Sequence, residues 1–397
     1  MGRIPPSSRP MFARACLSAW EATTLGVVAK TNADRKKYWR HWTTFTTLTQ
    51  TDPFLNPATV SEIERDVVTG AFAALVRQGT YGWGKQIRVA SVTDALSAIS
   101  KTIELAGKPS PIYRKDSTYQ LAIERMVEGY RRLDPPSVPQ LAVPVTLAKN
   151  AYKAGLLSKN QATTHTGCLV IVAFYFLLRV GEYTKPRTVL KNGVRVPATR
   201  TKQFVVGNVG FFKNGKVIPR RSSLKKLLSA DIAVLKITNQ KNGRMGQTIT
   251  QHATGNAMCP SQSLARLVHH ILSNGGTDNI LLCAYFANDK WHTVESKAVV
   301  DMVRTTAKAM RLDKTGIDPD LIGAHSLRAG GAMALKMHGY SDTTIMKMGR
   351  WTSLTFLQYI HNQIAHLAKD ISKKMSIELP FVNIAAIESS QIEVGQV

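Results

Sequence analysis

His325 and Arg328 stand three residues apart, a spacing that puts two side chains on one face of a helix. Trp351 and Tyr359 follow soon after, so an imidazole, a guanidinium, an indole and a phenol fall within one short stretch. That set suits work on a phosphodiester. Arginine offers a rigid fork to phosphate oxygens, histidine moves a proton near neutral pH, and tyrosine can act as a covalent nucleophile. Each group alone has a plainer reading, since a core histidine, a packing tryptophan and an amphipathic tyrosine are all common.

The spacing around these residues predicts three short helices. Apolar Ala332, Met333 and Leu335 follow Arg328 at helical spacing, and Gly339 closes that helix as a left-handed residue. Ser341 caps a second helix that stops at Gly349, and Ser353 caps a third that carries Tyr359. Upstream, the run 167–178 is the most apolar of the chain and reads as a buried helix, too short to span a bilayer. It delivers Arg179 at its C-terminal end, where burial of a guanidinium demands an anionic partner. Glu182, three residues on, is suited to support the fold or to orient Arg179 rather than to react.

The rest of the chain reads as two domains. The first twenty residues hold several Arg and no acid and are interrupted by Pro5, Pro6 and Pro10, so residues 1–30 read as a disordered basic arm. Residues 31–133 carry four amphipathic helices. The first has Tyr38, Trp42 and Phe45 on one face. The second starts at the capping box Ser61-x-x-Glu64, turns Ile63, Val67, Ala71, Phe72 and Leu75 inward, and ends at Gly79. A third starts at Ser91 with Val92, Leu96, Ile99 and Ile103 together, and a fourth runs from about Thr118 to Arg132. Residues 134–145 form a proline-rich linker. The second domain covers 146–378 and contains two hairpins, one turning at Asn214-Gly215 and one at Asn242-Gly243. Strand character also extends over 204–206, and helices resume at 261–272 and 296–310. Residues 379–397 form a tail with apolar Phe381 and Val382. The fold class is therefore mainly α with a small antiparallel β component.

The chain has 397 residues, 52 Lys and Arg against 26 Asp and Glu, and a formal charge of +26. Such an excess points to a polyanionic partner, nucleic acid before membrane. Cys16, Cys168, Cys259 and Cys283 are scattered with no C-x-x-C pair, so they read as reduced thiols, and no metal site is expected.

Taken in order, Arg179, Lys241, His325, Arg328, Trp351 and Tyr359 resemble the catalytic set of the tyrosine recombinase (phage-integrase) family. The Gly349-Arg350-Trp351 and Phe356-Leu357-Gln358-Tyr359-Ile360 pattern is most similar to recombinases of eukaryotic DIRS- and Crypton-type mobile elements. The resemblance implies an all-helical core-binding domain and a catalytic domain that close as a C-shaped clamp on double-stranded DNA. It implies a site-specific recombinase or integrase that works as a homotetramer on DNA, through a 3′-phosphotyrosyl intermediate, without cofactor or metal. In that scheme Tyr359 is the nucleophile, Arg179 and Arg328 clamp the phosphate, His325 moves a proton, Trp351 donates a hydrogen bond and Lys241 protonates the leaving oxygen. Lys241 directly precedes its Asn-Gly turn, where a long side chain can project past the sheet; Lys236 is its nearby competitor. Lys37, Arg40, Lys85, Arg88, Arg131, Lys185 and Arg350 are the further DNA contacts expected. The nucleus is the expected location in a eukaryote and the cytoplasm otherwise. Two readings stay open beside this one: a type IB topoisomerase that only relaxes DNA, and a DNA-binding protein that has lost its chemistry.

Overall fold

The computed structural model describes residues 5–25, 29–82, 84–114, 116–136, 140–191, 194–197, 202–238, 246–353 and Leu357. Lys241, Tyr359, the helix expected to carry Tyr359 and the tail 379–397 lie outside the described residues. The chain divides into two compact units. One comprises Met1–Val138, Pro186–Gln203 and Ile237–Gln247; the other comprises Pro139–Lys185, Phe204–Lys236 and Thr248–Val397.

In the first unit, a helix α1 (Arg9–Leu25) occupies most of the stretch expected to be an irregular arm. Pro10 is compatible with it because the first turn of a helix has no intrahelical acceptor for its missing N–H. Then come α2 (Ala29–Leu48), α3 (Glu62–Gln78), α4 (Val89–Leu105) and α5 (Leu121–Leu133). Their core gathers Trp42, Phe45, Phe72, Val76, Val92, Leu96, Ile99, Ile103, Ile123 and Val127. Ser61 caps α3 by accepting from the Glu64 N–H at 3.2 Å, and Gly79 ends it at φ 82°. The buried face of α3 is Thr69, Phe72, Ala73 and Val76, whereas Ile63 and Val67 are 78% and 64% exposed. The helix carries two apolar stripes, and the one with the larger ring wins: Phe72 meets Trp42 edge to face at 5.1 Å. Asp134, expected in the linker, is tied into this unit. It accepts from the Val89 N–H at 2.8 Å at the start of α4 and pairs with Arg77 at the end of α3. Strands β1 (Thr188–Lys191) and β2 (Val194–Pro197) form an antiparallel pair with no clear signal in the sequence.

The second unit is built round α7. After α6 (Val145–Leu157), α7 (Gln161–Tyr175) buries every residue from His165 to Phe174. Gly155 and Gly167 face each other so closely that a Cβ on either would stand about 3 Å from the other's Cα, which is how the two helices touch. A short α8 (Val180–Tyr183) follows. A four-stranded antiparallel sheet has the order β4-β3-β5-β6. Its strands are β3 (Val209–Lys213), β4 (Lys216–Ile218), β5 (Ile232–Lys236) and β6 (Thr248–His252). Asn214 and Gly215, at φ 49° and 74°, make the β3–β4 turn where the Asn-Gly pair predicts it. The strand expected at 204–206 is instead a single bridge, Val205 to Leu281, running into a 3-10 turn. A five-residue α9 (Leu224–Leu228) and then α10 (Pro260–Ser273) precede an unanticipated hairpin, β7 (Ala284–Ala287) and β8 (Lys290–Thr293). The chain then forms α11 (Ser296–Ala309), α12 (Ser326–Met337) and α13 (Asp342–Gly349). Ser341 caps α13 by accepting from the Thr344 N–H at 3.3 Å. The fold is mainly α with small antiparallel sheets. No helix among the described residues is long and apolar enough to cross a membrane.

Two glycines decide how α12 meets α7. A Cβ on Gly331 would run into the Phe174 carbonyl, and one on Gly330 into the Val143 carbonyl. Gly331→Ala is therefore expected to destabilise by about 1–3 kcal/mol through overpacking. Gly129→Ala, in α5 with open space at its Cβ, should instead stabilise by about 0.5–1 kcal/mol by reducing unfolded-state freedom. Thermal unfolding of the two variants checks both signs.

His165 in α7 and His270 in α10 hold the segment that enters the β7–β8 hairpin. His165 Nε2 lies 3.0 Å from the Leu282 carbonyl, and His270 Nε2 accepts from the Phe286 N–H at 3.0 Å. Burial pushes His165 down to about 3, with the His270 ring adding to it and the Leu282 carbonyl opposing. An unfolded histidine titrates near 6.5, so between about 6.5 and 3 the unfolded chain binds the extra proton. Stability is therefore lost as pH falls through that window. The unfolding midpoint should drop between about pH 7 and pH 4, and His165→Gln should flatten the profile.

Candidate functional site

The apolar run 167–178 is not one helix. Its helical part stops at Tyr175, and Leu177, buried at φ 49°, turns the chain through the left-handed region. Arg179 consequently stands at the N-cap of α8, at φ −77° and ψ 142°, rather than at the C-terminal end of a buried helix. A left-handed leucine is costly and persists only where its surroundings fix it. Here the turn aims the Leu177 carbonyl at two guanidiniums: Arg328 Nη1 donates to it, and Arg350 Nη2 donates to it at 3.0 Å.

Glu182, 2% exposed, forms the other half of the site. Its Oε2 accepts from the Arg179 backbone N–H at 2.8 Å, and its Oε1 accepts from Arg179 Nη1 at 3.3 Å. Arg350 grips both oxygens, Nη1 to Oε1 at 3.3 Å and Nη2 to Oε2 at 3.0 Å. Burial pushes the Arg350 guanidinium down from its usual range, the Glu182 charge and hydrogen bond push it back up, and the Arg179 charge opposes. The two arginines thus share one carboxylate. Arg179 is the member that reaches the surface, with its side chain 23% exposed against 3% for Arg350. Arg350, expected to contact DNA, is instead buried. Its position beside Trp351 gave no hint of a partner 168 residues earlier in the chain.

Arg328 sits in the first turn of α12 and is 2% exposed. Besides the Leu177 carbonyl it donates through Nη2 to the Gly349 carbonyl, at the end of α13. Its guanidinium carbon lies 4.1 Å from the centroid of the Trp351 ring, a stacked cation–π arrangement. Trp351 in turn packs on Ala332 and Ile345 with Leu335 and Met346. A Cβ on Gly349 would collide with that indole, so the glycine admits the ring. His325 is exposed at the N-cap of α12, one residue before the helix begins, and its backbone N–H donates to Gln140 Oε1 at 3.1 Å. His325 thus precedes the helix on which its spacing to Arg328 predicts it, and its partner Gln140, 185 residues earlier, has no local signal in the chain.

The structure therefore brings Arg179, Arg328, Arg350 and Trp351 together through Glu182 and the Leu177 carbonyl. Lys236 is exposed at the end of β5, opposite Thr248. In the same unit, Lys185 is exposed and paired with Glu295 at 2.7 Å. In the first unit, Arg40, Lys85 and Arg88 are exposed, Arg131 pairs with Glu128, and the Lys37 ammonium lies 5.7 Å from the Tyr38 ring. No group of three or more His, Cys, Asp or Glu among the described residues is placed to hold a metal ion.

No protein-family profile matches the chain, and no curated protein sequence does. Among solved structures it aligns with the Tn1549 transposon integrase in complex with a circular intermediate DNA, at 10% identity over 78% of this chain and 85% of that one, with a TM-score of 0.41. It also aligns with the XerH site-specific recombinase bound to a palindromic difH substrate, at 12% identity over 78% and 72%, with a TM-score of 0.45. A third is the XerA recombinase, at 16% identity over 90% and 97%, with a TM-score of 0.36. At such scores the likeness decides nothing about chemistry, which rests on the residues.

The geometry makes Arg328 a structural group whatever else it does. Lysine has one ammonium and cannot reach both carbonyls as the fork does. Arg328→Lys should lose about 1–3 kcal/mol of stability, the cost of leaving a buried acceptor unpaired. A thermal melt without DNA checks it; an unchanged midpoint would show that the two carbonyls are satisfied otherwise.

Proposed function

We propose that this chain is a DNA strand-exchange enzyme of the tyrosine recombinase kind, acting on double-stranded DNA as a homotetramer. The observation that carries the reading is Arg179: a guanidinium brought to the surface over a carboxylate already shared with a second guanidinium. Such a group is set to take an anion, and it is joined through Glu182, Arg350 and the Leu177 carbonyl to Arg328, which follows His325 by three residues. The charge of +26 and the order of the six matching positions support DNA as the source of that anion.

In this reading the Tyr359 oxygen attacks the scissile phosphorus, forming a 3′-phosphotyrosyl bond as the bond to the 5′-oxygen breaks. Lys241 gives the leaving oxygen its proton, and the phenol's proton moves toward His325. Arg179 offers hydrogen bonds to the non-bridging oxygens, and Arg328 adds its charge from within the protein. Trp351 holds Arg328 in place and offers its indole N–H. Attack by the 5′-hydroxyl of a second strand reverses the step, so no cofactor or metal takes part in the chemistry. The Gly-Arg-Trp and Phe-Leu-Gln-Tyr-Ile pattern favours a DIRS- or Crypton-like mobile element as the source. The protein would act wherever chromosomal DNA lies, in the nucleus of a eukaryote or otherwise in the cytoplasm.

Tyr359→Phe loses only the nucleophilic oxygen. It should bind duplex DNA as the unsubstituted chain does, yet leave no covalent adduct on nicked suicide duplexes drawn from a random-sequence library. Denaturing gels read the result. An adduct persisting in the variant would assign the nucleophile to another residue, and no adduct in either protein would leave a DNA-binding function without strand cleavage.

A further inference from the structure

Arg350 occupies a backbone position that favours glycine or asparagine. It caps α13 at φ 58° and ψ 39°, in the left-handed region, where an ordinary side chain is a liability. Its Nε is buried with no hydrogen-bond partner. An arginine there is therefore explained by what its guanidinium does at the other end, and that is to occupy both oxygens of Glu182. Arg179 is left with a 3.3 Å guanidinium contact to the same carboxylate, alongside its backbone N–H bond.

We infer that Arg350 is a positioning residue for Arg179: by neutralising Glu182, it keeps the Arg179 guanidinium available to an incoming phosphate. Without Arg350, Glu182 would be a buried carboxylate with Arg179 as its one ion-pair partner among the described residues. Buried carboxylates in that situation pull the cation in, because the interaction is strong where water is excluded. Arg179 would then fold onto Glu182 and its charge would be cancelled. The same contact ties the end of α13, nine residues before Tyr359, to the anion-binding arginine. This inference rests on the strand-exchange reading for its phosphate, but the arrangement of charges does not depend on it.

The test uses the whole 397-residue chain and two readouts. Phenylglyoxal modifies accessible guanidiniums, and peptide mass spectrometry reports the rate at Arg179, with orthovanadate as the phosphate probe. In the unsubstituted chain Arg179 should react, and vanadate should slow it. Arg350→Gly relieves the backbone and deletes the guanidinium; Arg179 should then react several-fold more slowly, with no vanadate effect. Adding Glu182→Gln to Arg350→Gly removes the uncompensated carboxylate and should restore both the rate and the protection. That double variant has no unpaired buried charge, so it carries the test even if Arg350→Gly folds poorly. A residue that merely filled space would not be rescued by Glu182→Gln. Equal Arg179 reactivity with and without Arg350, or failure of the double variant to recover, overturns the inference. Covalent adduct on the suicide-duplex library is the second readout, expected to fall about 100-fold in Arg350→Gly, as for a misplaced catalytic group, and to return in the double variant. If the unsubstituted chain forms no adduct, the strand-exchange reading fails while the Arg179 chemistry still decides this inference.

Discussion

One carboxylate and one carbonyl hold the site together. Glu182 bonds Arg179 and Arg350, and the Leu177 carbonyl bonds Arg350 and Arg328. Through these two acceptors the segment after α7, the start of α12 and the end of α13 become one object. A buried ion pair by itself contributes little net stability, since desolvation roughly offsets attraction. What the arrangement contributes is geometry: two buried guanidiniums held by protein acceptors, with the partly exposed Arg179 set beside them before any ligand arrives. Preorganised charge of this kind does not have to reorient when an anion approaches it.

That geometry depends on close packing behind it. Arg328 reaches the Leu177 carbonyl because α12 lies tight against α7, and it can do so because Gly330 and Gly331 present no Cβ to Val143, Phe174 and Leu177. The same economy recurs at Gly349, whose missing side chain admits the Trp351 indole over the Arg328 guanidinium. Positions that look featureless in the sequence thus set how far the cationic side chains must reach.

Local chemistry was legible in the chain, and partners distant in sequence were not. The Ser61 cap, the Gly79 stop, the Asn214-Gly215 turn and the Ser341 cap each depend on residues within a few positions, and each stands where the residues put it. The buried face of α3 was misread because Ile63, Val67 and Ala71 are as apolar as the stripe that packs, and only the Trp42 ring on α2 decides between them. The end of α7 was misread because a leucine gives no sign of a left-handed conformation, so the apolar run seemed to continue to Arg179. A proline-rich start hid α1, although a first-turn proline is compatible with a helix. Arg350 was misread for a related reason: beside a tryptophan and among basic residues it looks like a surface cation, and nothing near it names Glu182.

The site divides its cations by what they bond. Arg328 gives two N–H groups to protein carbonyls and lies over an indole, so what it lends an anion comes chiefly through its charge. In a poorly hydrated interior that charge acts at greater range than it would in water. Arg350 lends its charge to Glu182. Arg179 alone of the three combines partial exposure with a partner already satisfied elsewhere. A ligand arriving at this surface would therefore form its hydrogen bonds with Arg179 while resting in a field set by the two buried guanidiniums. Two of the cations are thus spent on acceptors inside the protein, and the third is the one whose guanidinium remains within reach of solvent.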